Sequence, residues 1–141
     1  MDMKLELVLI PVSDVDRAKS FYTEKVGFDL DVDVSPVEGF RIVQMTPPGS
    51  ACSITIGTGL TDAETGSYRG TQLVVRDIVA ARDELVSRGI EVSDVRHFDR
   101  GKGEWRPGPD PEHSDYASFA DFADPDGNTW VLQEVRKGKQ P

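Results

Sequence analysis

The chain has 141 residues, 38% hydrophobic and 29% charged, which fits one compact domain or two small, intimately packed modules and excludes a chain that is disordered as a whole. Its 16 Lys and Arg face 25 Asp and Glu, and the formal net charge of −9 disfavours DNA, RNA and anionic membranes while tolerating a neutral or cationic ligand. The single cysteine, Cys52, allows neither an intrachain disulfide nor a thiolate metal cluster, and in its apolar setting it is read as a packed thiol.

Apolar runs such as Leu7-Val8-Leu9-Ile10 fall far short of the roughly 20 residues that a membrane-spanning helix needs. The start, Met1-Asp2-Met3-Lys4, has no basic region followed by a long apolar one, so no secretory signal is seen and a cytoplasmic location is expected.

Lys4 to Val12 alternates as a strand, with Pro11 tolerable at its end. A helix follows from Asp14 to Val26: Val15, Ala18, Phe21, Tyr22 and Val26 recur at helical spacing, Ser13 or Asp14 can cap it, and Gly27 stops it. Three strands come next, Phe28 to Val34, Phe40 to Met45 and Cys52 to Ile56, which complete a first module over residues 1–57. Residues 58–68, rich in Gly, Thr and Asp and without a period, read as a linker.

The pattern then restarts. Gly70 to Val75 is a strand, Asp77 to Arg88 a helix stopped by Gly89, and Ile90 to Phe98 another strand. Aligning Val75 on Val12 also superposes Asp77 on Asp14, Ile78 on Val15, Ala81 on Ala18 and Arg82 on Lys19, so the second module, 69–136, repeats the first. Residues 99–115, with Gly101, Gly103, Gly108 and three prolines, are expected to form a long irregular loop. Its one large apolar residue, Trp105, either packs back on the body or covers a ligand pocket. Residues 137–141 are expected to be a disordered tail.

The run from Tyr116 to Val135 reads as a β-hairpin about Asp124-Pro125-Asp126-Gly127-Asn128, where Pro125 presets φ and Gly127 supplies positive φ. A turn of this kind pins the register and puts Thr129, Val131 and Gln133 on one face, with Trp130, Leu132 and Glu134 on the other.

Three stretches carry a family resemblance: Val12-Ser13-Asp14-Val15-Asp16-Arg17-Ala18-Lys19-Ser20-Phe21-Tyr22, then Val26-Gly27-Phe28, and Phe122-Ala123-Asp124-Pro125-Asp126-Gly127-Asn128. With these the chain resembles, over nearly its whole length, the vicinal oxygen chelate superfamily: glyoxalase I, extradiol dioxygenases, fosfomycin resistance enzymes and bleomycin resistance proteins. The resemblance implies an α+β fold of two paired βαβββ modules whose strands curl into a cup, with helices on the convex face, usually completed in a homodimer. It also implies, for the enzymes of the family, a divalent metal held by His, Glu or Gln on four strands. Carried over by the motifs, those positions fall on Leu7, Thr55, Gly70 and Val131, which lack imidazole and carboxylate donors, so no metal and no other cofactor is expected.

No Gly-x-Ser-x-Gly elbow and no phosphate-cradling glycine loop before a helix occurs, so no catalytic residue is assigned. His97 and His113, at a strand end and in the loop, read as surface or loop residues. Alternation from Leu7 and Val131 predicts a ligand-binding wall of Leu7, Leu9, Phe40, Ile42, Gln44, Ser53, Thr55, Gln72, Phe119, Asp121, Val131 and Gln133, with Trp105 above it. Such a wall suits a sizeable, partly aromatic small molecule, and the acidic balance slightly favours a cationic one. The resemblance to bleomycin resistance proteins, taken with the missing metal ligands, implies as the ligand a sizeable aromatic or cationic natural product and as the function antibiotic resistance by metal-free sequestration. The alternative is a lyase, isomerase or dioxygenase that uses a displaced metal near Glu6 or Glu134, or acid–base residues such as Asp121 and His97.

Overall fold

The computed structural model describes residues 1–138, and the expected tail lies outside the described residues from position 139 on. The chain is a mixed α+β protein of two compact units, one made of Met1–Tyr68 with Asp124–Asn128, the other of Arg69–Ala123 with the residues from Thr129 on.

In the first unit, β1 (Leu7–Leu9) leads to α1 (Val15–Ser20), which continues as a π-helix over Phe21–Val26; β2 (Asp29–Val34), β3 (Arg41–Thr46) and β4 (Ser53–Thr58) follow. The sheet order is β1-β4-β3-β2, with β1 parallel to β4 and the other pairs antiparallel. Asp14 caps α1 by accepting from Arg17 N at 3.0 Å, and Gly27, at φ 96°, ends the helical run in the left-handed region that a Cβ disfavours. Val43, Met45, Ile54 and Ile56 are buried with Ala18, Tyr22 and Phe28, so one face of the sheet and the helix stripe form this unit's core.

The Asp124–Asn128 turn is locked into the same unit. Asp124 is buried and accepts from Tyr22 Oη at 2.7 Å and Asn128 Nδ2 at 2.8 Å. Asn128 Nδ2 also donates to the Pro11 carbonyl at 2.9 Å, and its Oδ1 accepts from Tyr68 N. Asp126 accepts from both the backbone N and the hydroxyl of Ser13, and from Arg17 at 3.3 Å.

In the second unit, β5 (Thr71–Val75) precedes α2 (Ile78–Ser87), then β6 (Arg96–Asp99), β7 (Glu104–Pro107), β8 (Ser118–Ala123) and β9 (Thr129–Glu134). The order is β5-β9-β8-β6-β7, with only the β5–β9 pair parallel. Asp77 caps α2 through Ala80 N at 3.0 Å, as Asp14 caps α1. Trp130, Leu132 and Glu134 are buried while Thr129, Val131 and Gln133 are half-buried, which is the alternation that the hairpin register requires.

Two expectations about residues 90–115 need correction, and the strand expected over Lys4 to Val12 shortens to Leu7–Leu9. Residues 99–115 are not one irregular loop, because β7 pairs with β6 from Asp99↔Glu104 to Arg96↔Pro107. Asp99 nucleates the turn: its Oδ1 accepts from Gly101 N and Lys102 N, its carbonyl accepts from Gly103 N at 2.8 Å, and Gly103 takes a positive φ of 65°. Pro107 is tolerated at the end of an edge strand. The strand expected over Ile90 to Phe98 is confined to β6, since the carbonyls of Val92 and Ser93 are taken by Arg82 and the Ser93 backbone N and hydroxyl are bonded to Asp121.

Candidate functional site

The face of each sheet turned away from the buried core carries the residues expected to bind a ligand. In the first unit the strand register sets Leu9, Thr55 and Gln44 side by side in one row, Leu7 beside Ser53 in the next, and Ile42 beside Gly57 on the other side. Ser53 and Thr55 are buried, whereas Leu7, Leu9, Ile42 and Gln44 are half-buried. Ser53 Oγ lies 2.6 Å from Thr46 Oγ1 and accepts from Gln44 Nε2 at 3.5 Å. Phe40 lies just outside β3 and is exposed.

In the second unit the register aligns Gln72, Val131 and Asp121 in one row and Val74, Gln133, Phe119 and Arg96 in the next. Phe98 and Trp105 are direct cross-strand partners on the same face as Arg96. Their rings lie 5.4 Å apart, and Trp105 meets Phe119 edge-on at 5.6 Å. The Arg96 guanidinium sits 5.3 Å from the Trp105 ring and 5.9 Å from Phe119, and Asp121 holds it with two hydrogen bonds of 2.9 and 3.2 Å. Trp105 therefore packs on its own sheet and still leaves 55% of its surface exposed. The result is an aromatic platform whose one cation is neutralised by its neighbour.

Arg96 and Phe98 are the members of this platform that the sequence reading missed. Their signal is the hairpin: once β6 and β7 pair, even-numbered β6 residues share a face with Trp105.

His97 points the other way. It is buried in β6, not a surface residue, with Nδ1 2.8 Å from the Gly108 carbonyl, and it pairs across the sheet with Arg106 and Ser118. Register thus puts His97 and Asp121 on opposite faces, where they do not act on one substrate atom. A cavity of about 510 Å3 is lined by His97, Phe98, Arg106, Asp110, Glu112 and Ser114 and by none of the residues expected to bind a ligand. Hydrogen bonds from the Ser114 backbone and side chain hold the Asp110 carboxyl below the usual carboxylate range, with a lesser contribution from His97.

Glu134 is fully buried on the core face: Oε2 accepts from Ile78 N at 3.0 Å and Oε1 from His113 Nδ1 at 2.9 Å. This carboxylate anchors the start of α2 and the 108–117 segment. At the positions where the enzymes of the resembling superfamily hold a divalent ion, the chain offers an isobutyl group, a hydroxyl, no side chain and an isopropyl group, a donor set that does not fit one. Among the described residues no group of three or more His, Cys, Asp and Glu side chains converges to hold a metal. Among the same residues no helix is long and apolar enough to cross a membrane.

Comparison with known proteins is consistent with this architecture. The uncharacterized protein YetH of Bacillus subtilis (strain 168) is 26% identical over 137 residues, 95% of this chain and 100% of that protein. The crystal structure of TnmS3, an antibiotic binding protein from Streptomyces sp. CB03234, is 32% identical with a TM-score of 0.73, covering 95% of this chain and 97% of that one. A glyoxalase/bleomycin resistance protein from the same Streptomyces is 34% identical with a TM-score of 0.71, covering 93% of this chain and all of that one. The family profile matches residues 4–132, and the chain belongs to the Glyoxalase/Bleomycin resistance protein/Dioxygenase superfamily.

Proposed function

We propose that this protein is a metal-free small-molecule binder that confers antibiotic resistance by sequestering its ligand. The observation that carries the reading is the platform of Trp105, Phe119 and Phe98 around the Arg96–Asp121 pair. A half-exposed indole backed by two rings presents a flat apolar surface at low entropic cost, and the adjoining Gln72, Gln133 and Val131 add neutral hydrogen-bonding and aliphatic area. Sequestration demands affinity and stoichiometric protein, not chemistry, so a donor set unfit for a metal is no obstacle. The likeness to an antibiotic binding protein supports the same reading.

The geometry refines the ligand. The chain's charge of −9 favours cations in general, but at the platform Asp121 is already paired with Arg96, so a planar aromatic body is selected there ahead of a positive charge. We further propose a cytoplasmic C2 homodimer, in keeping with the edge strand β2, every residue of which is exposed.

Titration of intrinsic Trp fluorescence, with calorimetry, against bleomycin-type, enediyne and anthraquinone compounds tests the function. Stoichiometric binding of one class is expected; no binding tighter than about 100 μM across the panel, only some −5.5 kcal/mol, refutes it. Light scattering that shows a monomer at micromolar concentration refutes the dimer.

A further inference from the structure

His97 is only 7% exposed and lines the cavity of about 510 Å3 in the second unit, a size within the ~300–1,000 Å3 usual for small-molecule pockets. Its Nδ1 lies 2.8 Å from the Gly108 carbonyl, which can only accept, so Nδ1 carries the proton and the neutral ring presents a lone pair at Nε2. Nε2 has no hydrogen-bond partner among the described residues. It is not sealed from solvent either, because the one unpartnered side-chain polar atom among those residues that is shut off from solvent is Thr55 Oγ1, in the first unit. The ring therefore brings an open acceptor to the cavity, and an acceptor on a buried side chain gains from a donor that fills the space beside it.

The rest of the lining is acidic on balance. Four carboxylates, Asp99, Asp110, Glu112 and Asp115, stand against two cations, Arg100 and Arg106, and Arg106 is already paired at 2.9 Å with Glu104, which lies outside the lining. Asp110 accepts from Ser114 N at 2.9 Å and Asp115 from Arg136 N at 2.7 Å, and these bonds hold both carboxyls below the usual carboxylate range, so both are anions at neutral pH. Glu112 is exposed, and its carboxylate has no partner among the described residues.

We propose that this cavity binds an organic ammonium ion, with His97 Nε2 accepting from its N–H and the Asp110 and Glu112 carboxylates balancing its charge. The open acceptor asks for a donor and the acidic excess asks for a positive charge; an ammonium supplies both in one group. A metal ion is the poorer occupant, because among the described residues no three His, Cys, Asp or Glu side chains converge to hold one, whereas an ammonium is satisfied by fewer protein acceptors together with water. Trp105, Phe119 and Arg96 take no part in the lining and Phe98 alone is common to both places, so the site stands apart from the aromatic platform and does not rest on the proposed function.

The probe is n-butylammonium, read by proton–nitrogen correlation NMR of the imidazole rings in the full chain, which has only two histidines. His97 Nε2 should shift saturably, with a dissociation constant in the millimolar range that about five heavy atoms supply. Butyrate should leave it unmoved, and n-butanol, a neutral donor, should bind about tenfold more weakly. Glu112→Gln should weaken the probe about threefold at an unchanged melting temperature. His97→Asn keeps an N–H where Nδ1 donates to the Gly108 carbonyl and removes Nε2, and it should lose the probe; if that variant does not fold, the butyrate, butanol and Glu112→Gln arms still decide. Trp105→Ala should bind the probe as the parent does. No saturable shift, butyrate or butanol binding as tightly, or undiminished binding by Glu112→Gln or by folded His97→Asn overturns the proposal. Loss of the probe in Trp105→Ala also overturns it, because the cation would then sit on the indole of the platform. Failure in any of these arms leaves stacking on Trp105, and with it the proposed function, to its own titration.

Discussion

Tyr22 and Asp124, 102 residues apart, meet in a buried hydrogen bond of 2.7 Å from the phenol to a carboxylate oxygen. It ties together the first and the last of the three stretches that carry the family resemblance. Asp124 also accepts from the backbone N of Asp126 and of Asn128, so one side chain both shapes the turn and fastens it beneath the first helix. Tyr22→Phe removes a donor from a buried carboxylate and should cost about 1–3 kcal/mol of unfolding free energy, read from denaturant melts. Asp124→Ala frees four donors at once and should cost more. A Tyr22→Phe protein as stable as the parent would show that the bond does not hold the turn.

That junction also shows why the fold was legible in the sequence. The caps Asp14 and Asp77, the stops Gly27 and Gly89 and the Asp-Pro-Asp-Gly-Asn turn act through local chemistry that a sequence displays, and each appears where the spacing puts it. The β6–β7 hairpin was not legible because its turn is organised by one carboxylate, Asp99, within a glycine-rich stretch that looks irregular. The platform was half legible: period-2 alternation gave Phe119 and Asp121, but Arg96 and Phe98 required a strand pairing that no local pattern reveals.

Asp33 gives a pH test. Hydrogen bonds from Arg41, at 3.1 and 3.0 Å, and then from Lys19, at 2.8 Å, hold its carboxyl well below the ordinary range. The folded value is depressed, so the cluster stabilises the protein above the unfolded carboxylate pKa of ~3.9 and the contribution is lost as pH falls below it. Because the groups are partly solvated, Asp33→Asn should cost no more than about 1 kcal/mol at pH 7, and less as the pH is lowered into the acid range. A cost that does not shrink in acid would place the effect in packing.

Glu134 separates the metal-free reading from its alternative. Both its oxygens are engaged in the core, one by Ile78 N and one by His113. Glu134→Gln should therefore lower stability by about 1–3 kcal/mol, while dialysis against EDTA should leave ligand affinity unchanged. Stoichiometric metal in freshly purified protein, lost together with ligand binding in EDTA, would reverse the assignment.

Trp105 and Arg96 test the platform itself. If the indole stacks on a planar ligand, Trp105→Ala removes a contact worth roughly 0.5–1.5 kcal/mol beyond area burial. With the buried area added, affinity should fall about tenfold or more, mainly through faster dissociation. The same indole packs on Phe98 and Phe119, so a modest loss of stability, on the order of 1 kcal/mol, should accompany it. Phe98→Leu is the control, because it perturbs the support beneath Trp105 and leaves the indole in place. It should lower stability comparably and affinity much less. Arg96→Met breaks the pair with Asp121, leaving a free carboxylate beside the rings, and should raise the relative affinity for cationic members of a ligand series over neutral ones. If Trp105→Ala and Phe98→Leu lose stability alike and neither loses affinity, the indole only props the β6–β7 hairpin and the platform is not the binding surface.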